Sequence, residues 1–260
     1  MNRNFRTEAV ILSARQFGED NRIITLLTPD KGVIDAVLYG GRKSKLRALV
    51  SPFHSGTIWL YNDETRHSLK ITDFEVKAYR PTFREDLYKN CVAAFCAELV
   101  IKTKGSNSDG EYAMQWKLVN GFFDGLDLSS RKEAEIGTLR FIWRYLMFLG
   151  VQPDIFNCGC CGENLIRSDS GKTNENLIYY DIAKQCFLCH ECSSGLESSI
   201  LLDYDGLKYL QSVSLLTPHE VRKLMLSNES YCMLHDFLFF VISRVVDVKL
   251  KTLEAGKGIL

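Results

Sequence analysis

The chain has 260 residues, 46% hydrophobic and 25% charged, a composition that excludes a disordered or fibrous chain and allows a sizeable core. Basic and acidic residues both number 32, so net charge names no polyanionic partner. The distribution is uneven: residues 1–80 hold 13 basic and 9 acidic side chains, leaving 19 and 23 for the remainder.

The opening "MNRNFRTEAVILSARQFGED" lacks the long apolar run of a secretory leader. The longest apolar stretches, such as "FLFFVI" at 237–242, are too short to cross a bilayer. A cytoplasmic protein with no membrane partner is expected. The nine cysteines, an odd number, then read as metal ligands and core thiols rather than a disulfide framework.

Five short segments rich in Val, Ile, Thr and aromatics come first: "TEAVILSAR", "RIITLLT", "GVIDAVLYG", "GTIWLY" and "HSLKITDFEV". Turn-forming residues separate them, as in "TPDKG" and "YNDETRH". Five strands within 7–76 predict a small closed barrel, because closure removes exposed strand edges.

The pattern changes at Pro81. Leu87, Cys91, Phe95 and Leu99 recur every fourth residue and predict one buried helical face. "GSNSDG" ends that helix, and Tyr112, Trp116, Val119 and Phe123 mark the next. Ser130 and Glu133 have capping-box spacing before a third helix that Gly150 closes. Further on, Thr217, Pro218 and Glu220 form another helix start, and a last helix is expected over roughly 229–252. Cys91, Cys96 and Cys232 fall in helical segments and read as core thiols.

Between these helices, "CGCCGENL" and "QCFLCHECSS" bring six cysteines together. Cys158 and Cys161 have the gap that lets two thiolates reach one zinc ion at about 2.3 Å, with Gly162 allowing the tight turn behind them. Cys186/Cys189 and Cys189/Cys192 share the same gap. "NLIYYD" reads as a strand and "CFL" as its return, and a zinc ribbon places its second pair at the tip of the returning strand. The expected ligands are therefore Cys158, Cys161, Cys189 and Cys192, with Cys186 the rival to Cys192. Four cysteine ligands close the coordination sphere, so one structural Zn²⁺ per chain is expected rather than a catalytic metal.

Together these residues resemble the RecO family of recombination mediators. The resemblance runs through "TEAVILSARQFGEDNRIITLLTPDKGVIDAVLYGGRKSKLRALVSPF" and through "LMFLGVQPD" before "CGCCG" and the later Cys-x-x-Cys. Family ribbons often carry Gly-Gly shortly before that second pair. Here Gln185-Cys186 stands in its place, so Cys186 looks like a replaced glycine. The resemblance implies an α+β multidomain fold: a five-stranded OB barrel over 1–80, a helical domain over 81–154 and 199–260, and a zinc-binding insert over 155–198.

It also implies a non-enzymatic activity. Such proteins bind single- and double-stranded DNA, anneal complementary strands, contact single-strand-binding protein, and pair with RecR to help load RecA. A nucleoid-associated location in the cytoplasm follows. In "GGRKSKLRALVS", Arg42, Lys43, Lys45 and Arg47 have no acidic neighbour, and Gly40 and Gly41 allow close approach to a phosphate backbone. Alone, such a run reads as a solvated face; the barrel and the family resemblance make it the expected DNA surface. Arg15, Arg22 and Lys31 are secondary candidates. Tyr39, Phe53, Trp59 and Tyr61 read first as packing inside the small barrel and second as base-stacking residues. The acidic tail of single-strand-binding protein is expected on the helical body, where 219–226 and 243–251 offer apolar and basic faces.

Other classes find little support. A zinc deaminase needs His-x-Glu and Pro-Cys-x-x-Cys, and neither occurs. His190-Glu191 lacks the second His of a zincin, since position 194 is Ser. No Gly-x-x-x-x-Gly-Lys phosphate loop is present. The alternative is a zinc-ribbon, OB-fold scaffold or transcription factor, but the basic run lies between strands and not on a recognition helix.

Overall fold

The computed structural model describes residues 3–40, 45–103, 111–166, 177–246 and 249–260. Its first elements are β1 (Asn4–Phe17), β2 (Asn21–Thr28), β3 (Gly32–Leu38), α1 (Lys45–Leu49), β4 (Ser55–Asp63) and β5 (Ser68–Ala78). The helices α2 (Thr82–Glu85), α3 (Leu87–Lys102), α4 (Tyr112–Leu128) and α5 (Arg131–Phe148) follow. Then come β6 (Leu177–Asp181), β7 (Cys186–Leu188), β8 (Ser199–Asp203), α6 (Tyr204–Leu215), α7 (Pro218–Val221), α8 (Asn228–Val245) and α9 (Lys251–Ala255). The chain forms two compact units, 1–137 with 248–260, and 138–247.

In the first unit β1 to β5 close a barrel in the order β1-β2-β3-β5-β4. β1 pairs antiparallel with β2 and β4, while β3 meets β5 in parallel. This is the connectivity of an OB-like barrel. Alternation drives it: Ala9, Ile11, Ile24, Leu26, Ala36, Leu38, Ile58 and Leu60 all point inward and are essentially buried. β1 is longer at both ends than "TEAVILSAR" suggests, running out to an exposed Phe17 at the hairpin.

Arg80 ends the barrel in a left-handed conformation, φ 49°. Its side chain is 1% exposed. The guanidinium donates to the Phe53 carbonyl, to Ser55 Oγ at 3.0 Å, to Asn120 Oδ1 at 2.8 Å and to Asp124 Oδ1 at 2.7 Å. It also lies 5.5 Å from the Phe123 ring centroid. Phe53 meets Phe83 and Phe123 edge to face at 5.8 Å, so it packs in the barrel–helix joint and not inside the barrel, where its first reading has it.

α3 departs from the fourfold pattern. Phe95 and Leu99 are buried, but Leu87 is 66% exposed and Cys91 is half-buried. Tyr88, Val92, Ala93, Cys96 and Val100 are buried instead, so apolar contact surrounds most of the helix. The expected last helix also differs: α8 stops at Val245, where Val246 is extended, and α9 begins only at Lys251. The β-branched run through Val245 and Val246 favours that break. Glu98 accepts from the backbone N–H groups of Lys251 and Thr252 at 3.0 and 2.8 Å, tying α9 to α3.

In the second unit Gly150 closes α5 with φ 71°, as its position predicts. The Thr217–Glu220 capping box is present, although α7 is only one turn long. A three-stranded sheet, β7-β6-β8, takes its third strand from residues 199–203, at the start of a stretch expected to be helical. Tyr180, Phe187 and Phe237 join that sheet to α8, with ring centroids 5.0–5.3 Å apart. Cys96 is a core thiol; Cys232 is exposed, because it lies on the outward face of α8. No helix among the described residues is long and apolar enough to cross a membrane.

Candidate nucleic-acid interface and metal centre

The basic segment between β3 and β4 is partly helical rather than wholly a loop. Lys45 is exposed and Arg47 half-buried on α1, and neither has a carboxylate partner among the described residues. Arg42 and Lys43 lie outside the described residues. Arg15, on β1, is exposed and sits 3.5 Å from Asp35. Arg22 is half-buried at the start of β2, opposite Leu38. Lys31, in the β2–β3 turn, places its ammonium 4.9 Å from the Phe5 ring centroid. Trp59 and Tyr61 are half-buried on the outer side of β4, not packed inside the barrel as their first reading has it, because Ile58 and Leu60 take the inward positions.

Structure adds cations and aromatics that the sequence reading left out. Lys70 lies 5.2 Å from the Tyr39 ring centroid, and Arg66 Nη1 donates to Tyr39 Oη at 3.4 Å. Near α1, His54 Nδ1–H donates to the Leu49 carbonyl at 2.8 Å, which pins the end of the basic helix. Tyr79, 54% exposed, meets the His54 ring at 5.2 Å. Burial pushes the His54 imidazolium down; the Leu49 carbonyl opposes this, while Arg84 and Arg80 reinforce it. Period-two alternation in β5 could have exposed Lys70, whereas Arg66 and Tyr79 need the strand pairing.

The cysteine cluster is built by two turns. Cys158 N–H donates to the Glu163 carbonyl at 2.7 Å, and Gly162, φ 75°, returns its N–H to the Cys158 carbonyl at 2.9 Å. The second turn follows β7: Cys192 N–H donates to the Cys189 carbonyl at 3.1 Å. The Sγ atoms of Cys158, Cys161, Cys189 and Cys192 all lie within 4.8 Å of one another. Cys161 and Cys189 are 3.9 Å apart, close to the roughly 3.8 Å that tetrahedral Zn–S bonds of about 2.3 Å require. The four thiols therefore fit a metal ion, and the closed set leaves no position for substrate.

Burial pushes the Cys158 thiol up, but backbone N–H groups of Cys161, Cys189 and Cys160 outweigh it and bring it down to about 6. Cys186 stands apart from the four. Its sulfur packs on Gly159, where an added Cβ would come within 2.6 Å of it. Cys160 is exposed.

A third feature lies on the helices of the second unit. Arg140 Nη1 donates to Tyr209 Oη at 3.3 Å. Burial and the charges of Arg140 and Arg222 push the Arg144 guanidinium down, partly offset by Tyr209. None of these three arginines has a carboxylate partner among the described residues. Leu215, Leu216 and Met225 are exposed in the neighbouring sequence.

The fold and these sites define an OB-like barrel protein with a helical body and a four-thiol clip that could hold a metal ion. Residues 1–80 match the model for "Recombination protein O N terminal" and residues 84–254 that for "Recombination protein O C terminal". The chain belongs to the RecO family of DNA repair proteins. The DNA repair protein RecO of Alkaliphilus metalliredigens is 25% identical over 266 residues, covering 98% of this chain and 99% of that protein. Its counterpart in Desulforamulus reducens is 24% identical over 252 residues, covering 96% and 93%. That of Bacillus velezensis is 29% identical over 195 residues, covering 72% and 68%.

Proposed function

We propose that this chain is a non-enzymatic recombination mediator, built as a DNA-binding barrel over 1–80, a helical domain over 81–154 and 199–260, and a metal-binding insert over 155–198. The observation that carries the reading is the OB-like barrel with a basic segment leading from β3, in a chain of the RecO family. Arg42, Lys43, Lys45 and Arg47 hold phosphates, with Arg15, Arg22 and Lys31 as secondary contacts. Bringing two strands onto one basic surface lowers their mutual repulsion and raises their encounter rate. Annealing then needs no ATP.

The four clustered cysteines hold one structural Zn²⁺, which fixes the turns around the insert. RecR and RecA are the further partners, RecA indirectly, and the site of action is the nucleoid. The arginine group of Arg140, Arg144 and Arg222 supports docking of the acidic tail of single-strand-binding protein beside 219–226. Two complementary oligonucleotides, mixed without nucleotide and with or without single-strand-binding protein, test the reading. Accelerated annealing in both conditions is expected. No acceleration in either would remove the function.

A further inference from the structure

The cysteine insert holds more thiols than one tetrahedral ion uses. Cys160 lies between Cys158 and Cys161, inside the turn that Cys158 N–H closes on the Glu163 carbonyl. The Cys192 thiol has four thiol neighbours, those of Cys189, Cys161, Cys158 and Cys160. Three of them belong to the ligand set; Cys160 does not. We propose that Cys160 is an oxidation site, and that Cys192 leaves the metal to capture its oxidised sulfur. The inference rests on the zinc reading above and goes beyond it, to the control of metal occupancy.

Access makes Cys160 the first sulfur to react, because thiol oxidation follows exposure. Cys158 is buried, and a closed set of four occupies the sulfurs of Cys161, Cys189 and Cys192. Cys186 is half-buried with its sulfur against Gly159. Of the six cysteines in the insert, only Cys160 is both exposed and outside the ligand set.

The oxidant is hydrogen peroxide. The Cys160 sulfur attacks one peroxide oxygen, the O–O bond breaks, and the sulfur becomes a sulfenic acid as one water leaves. The Cys192 thiolate then attacks the Cys160 sulfur. An S–S bond forms, the S–O bond breaks, and the departing hydroxide takes a proton from solvent to leave as a second water. The sulfurs lose two electrons and the peroxide oxygens gain them. A dithiol reductant reverses the step by thiol–disulfide exchange.

Local structure selects Cys192 as the ligand that shifts. It sits in a single helical turn, Glu191–Ser193, where its N–H donates to the Cys189 carbonyl at 3.1 Å. The Cys158 sulfur is held more firmly, accepting the Cys189 N–H at 3.4 Å behind a turn closed from both ends. Losing Cys192 leaves three thiolates, and the clip loosens. Gly159 N–H ties that clip to β7 through the Phe187 carbonyl at 2.8 Å, and the Phe187 ring packs on Phe237 of α8. Oxidation at the exposed turn therefore reaches the helix behind the sheet.

The test exposes the full chain, reduced and loaded with zinc, to hydrogen peroxide beside a chromogenic zinc chelator. Thiol counting and mass mapping of the digest accompany it. The parent should release its zinc as two thiols disappear, and the digest should contain Cys160 linked to Cys192. Cys160→Ser should keep its zinc through the same exposure, while Cys186→Ser should release it as the parent does. Zinc content before peroxide shows that each variant folds around the insert. Zinc loss from Cys160→Ser at the parent rate would overturn the proposal, as would a link between Cys160 and Cys186 with zinc retained. A reduced parent that takes up no zinc would instead remove the metal reading, and the proposal with it.

Discussion

Arg80 Nη2 donates to Asp124 Oδ1 at 2.7 Å, fastening the last residue of the barrel module to α4. The same guanidinium holds Phe53 and Ser55 at the start of β4. One buried side chain thus links the strand that follows the basic segment to the first helices. Arg80→Met should lower stability by about 2–4 kcal/mol, because several acceptors lose a charged donor at once. Arg80→Lys should recover only part of this, since an ammonium cannot reproduce the fork. Urea unfolding would measure both. Parent-like midpoints in both variants would show that the joint is held elsewhere.

His54 gives a pH signature. Its pKa lies below the ordinary value of 6.5 in the folded chain, chiefly through burial. The unfolded chain therefore takes up a proton at a pH where the folded chain does not. This stabilising contribution is complete above the unfolded pKa and is lost as pH falls from there through the folded pKa. Thermal unfolding midpoints recorded from pH 7.5 to pH 5 should decline, and His54→Gln, which keeps a donor for Leu49, should flatten that component. An unchanged pH profile in the variant would contradict the assignment.

Metal content separates the cysteines. Cys→Ser at position 158, 161, 189 or 192 should abolish stoichiometric zinc, because each supplies one of four thiolates. Cys160→Ser and Cys186→Ser should keep one zinc per chain in elemental analysis. Loss of metal from Cys186→Ser together with retention in Cys192→Ser would reverse the ligand assignment.

The arginine group predicts partner chemistry. A peptide of the acidic single-strand-binding-protein tail should bind saturably and less well at high salt. Arg140→Gln and Arg222→Gln should each weaken it several-fold while leaving the fold intact. Calorimetric titration would report this; no binding by the parent at high micromolar peptide would remove the tail from the account.

Much of this was legible because local pattern and tertiary need agreed. The five strands alternate, and their inward residues form the core. The cysteine turns could be read from spacing because a tetrahedral ion constrains chain geometry tightly. α3 was less legible: it is apolar on nearly every side, so the Leu87–Leu99 repeat could not show which residues other elements cover. Leu87 ended exposed for that reason. The burial of Arg80 was hidden for another reason, since its partners Asn120 and Asp124 are some 40 residues away in sequence.

The central claim is that the barrel holds DNA through phosphate contacts made by the segment after β3. Phosphate contacts release condensed counterions, so affinity should fall steeply with salt and depend little on base sequence. The decisive measurement is the log–log salt slope of single-strand binding for the parent and for a variant with Arg42, Lys43, Lys45 and Arg47 all replaced by Gln. If all four touch phosphate, the slope should flatten by up to about 3 units, at roughly 0.7 per lost contact. Annealing should weaken in parallel, with zinc content unchanged. A variant that binds and anneals like the parent at every salt concentration would contradict the account and move the DNA surface elsewhere.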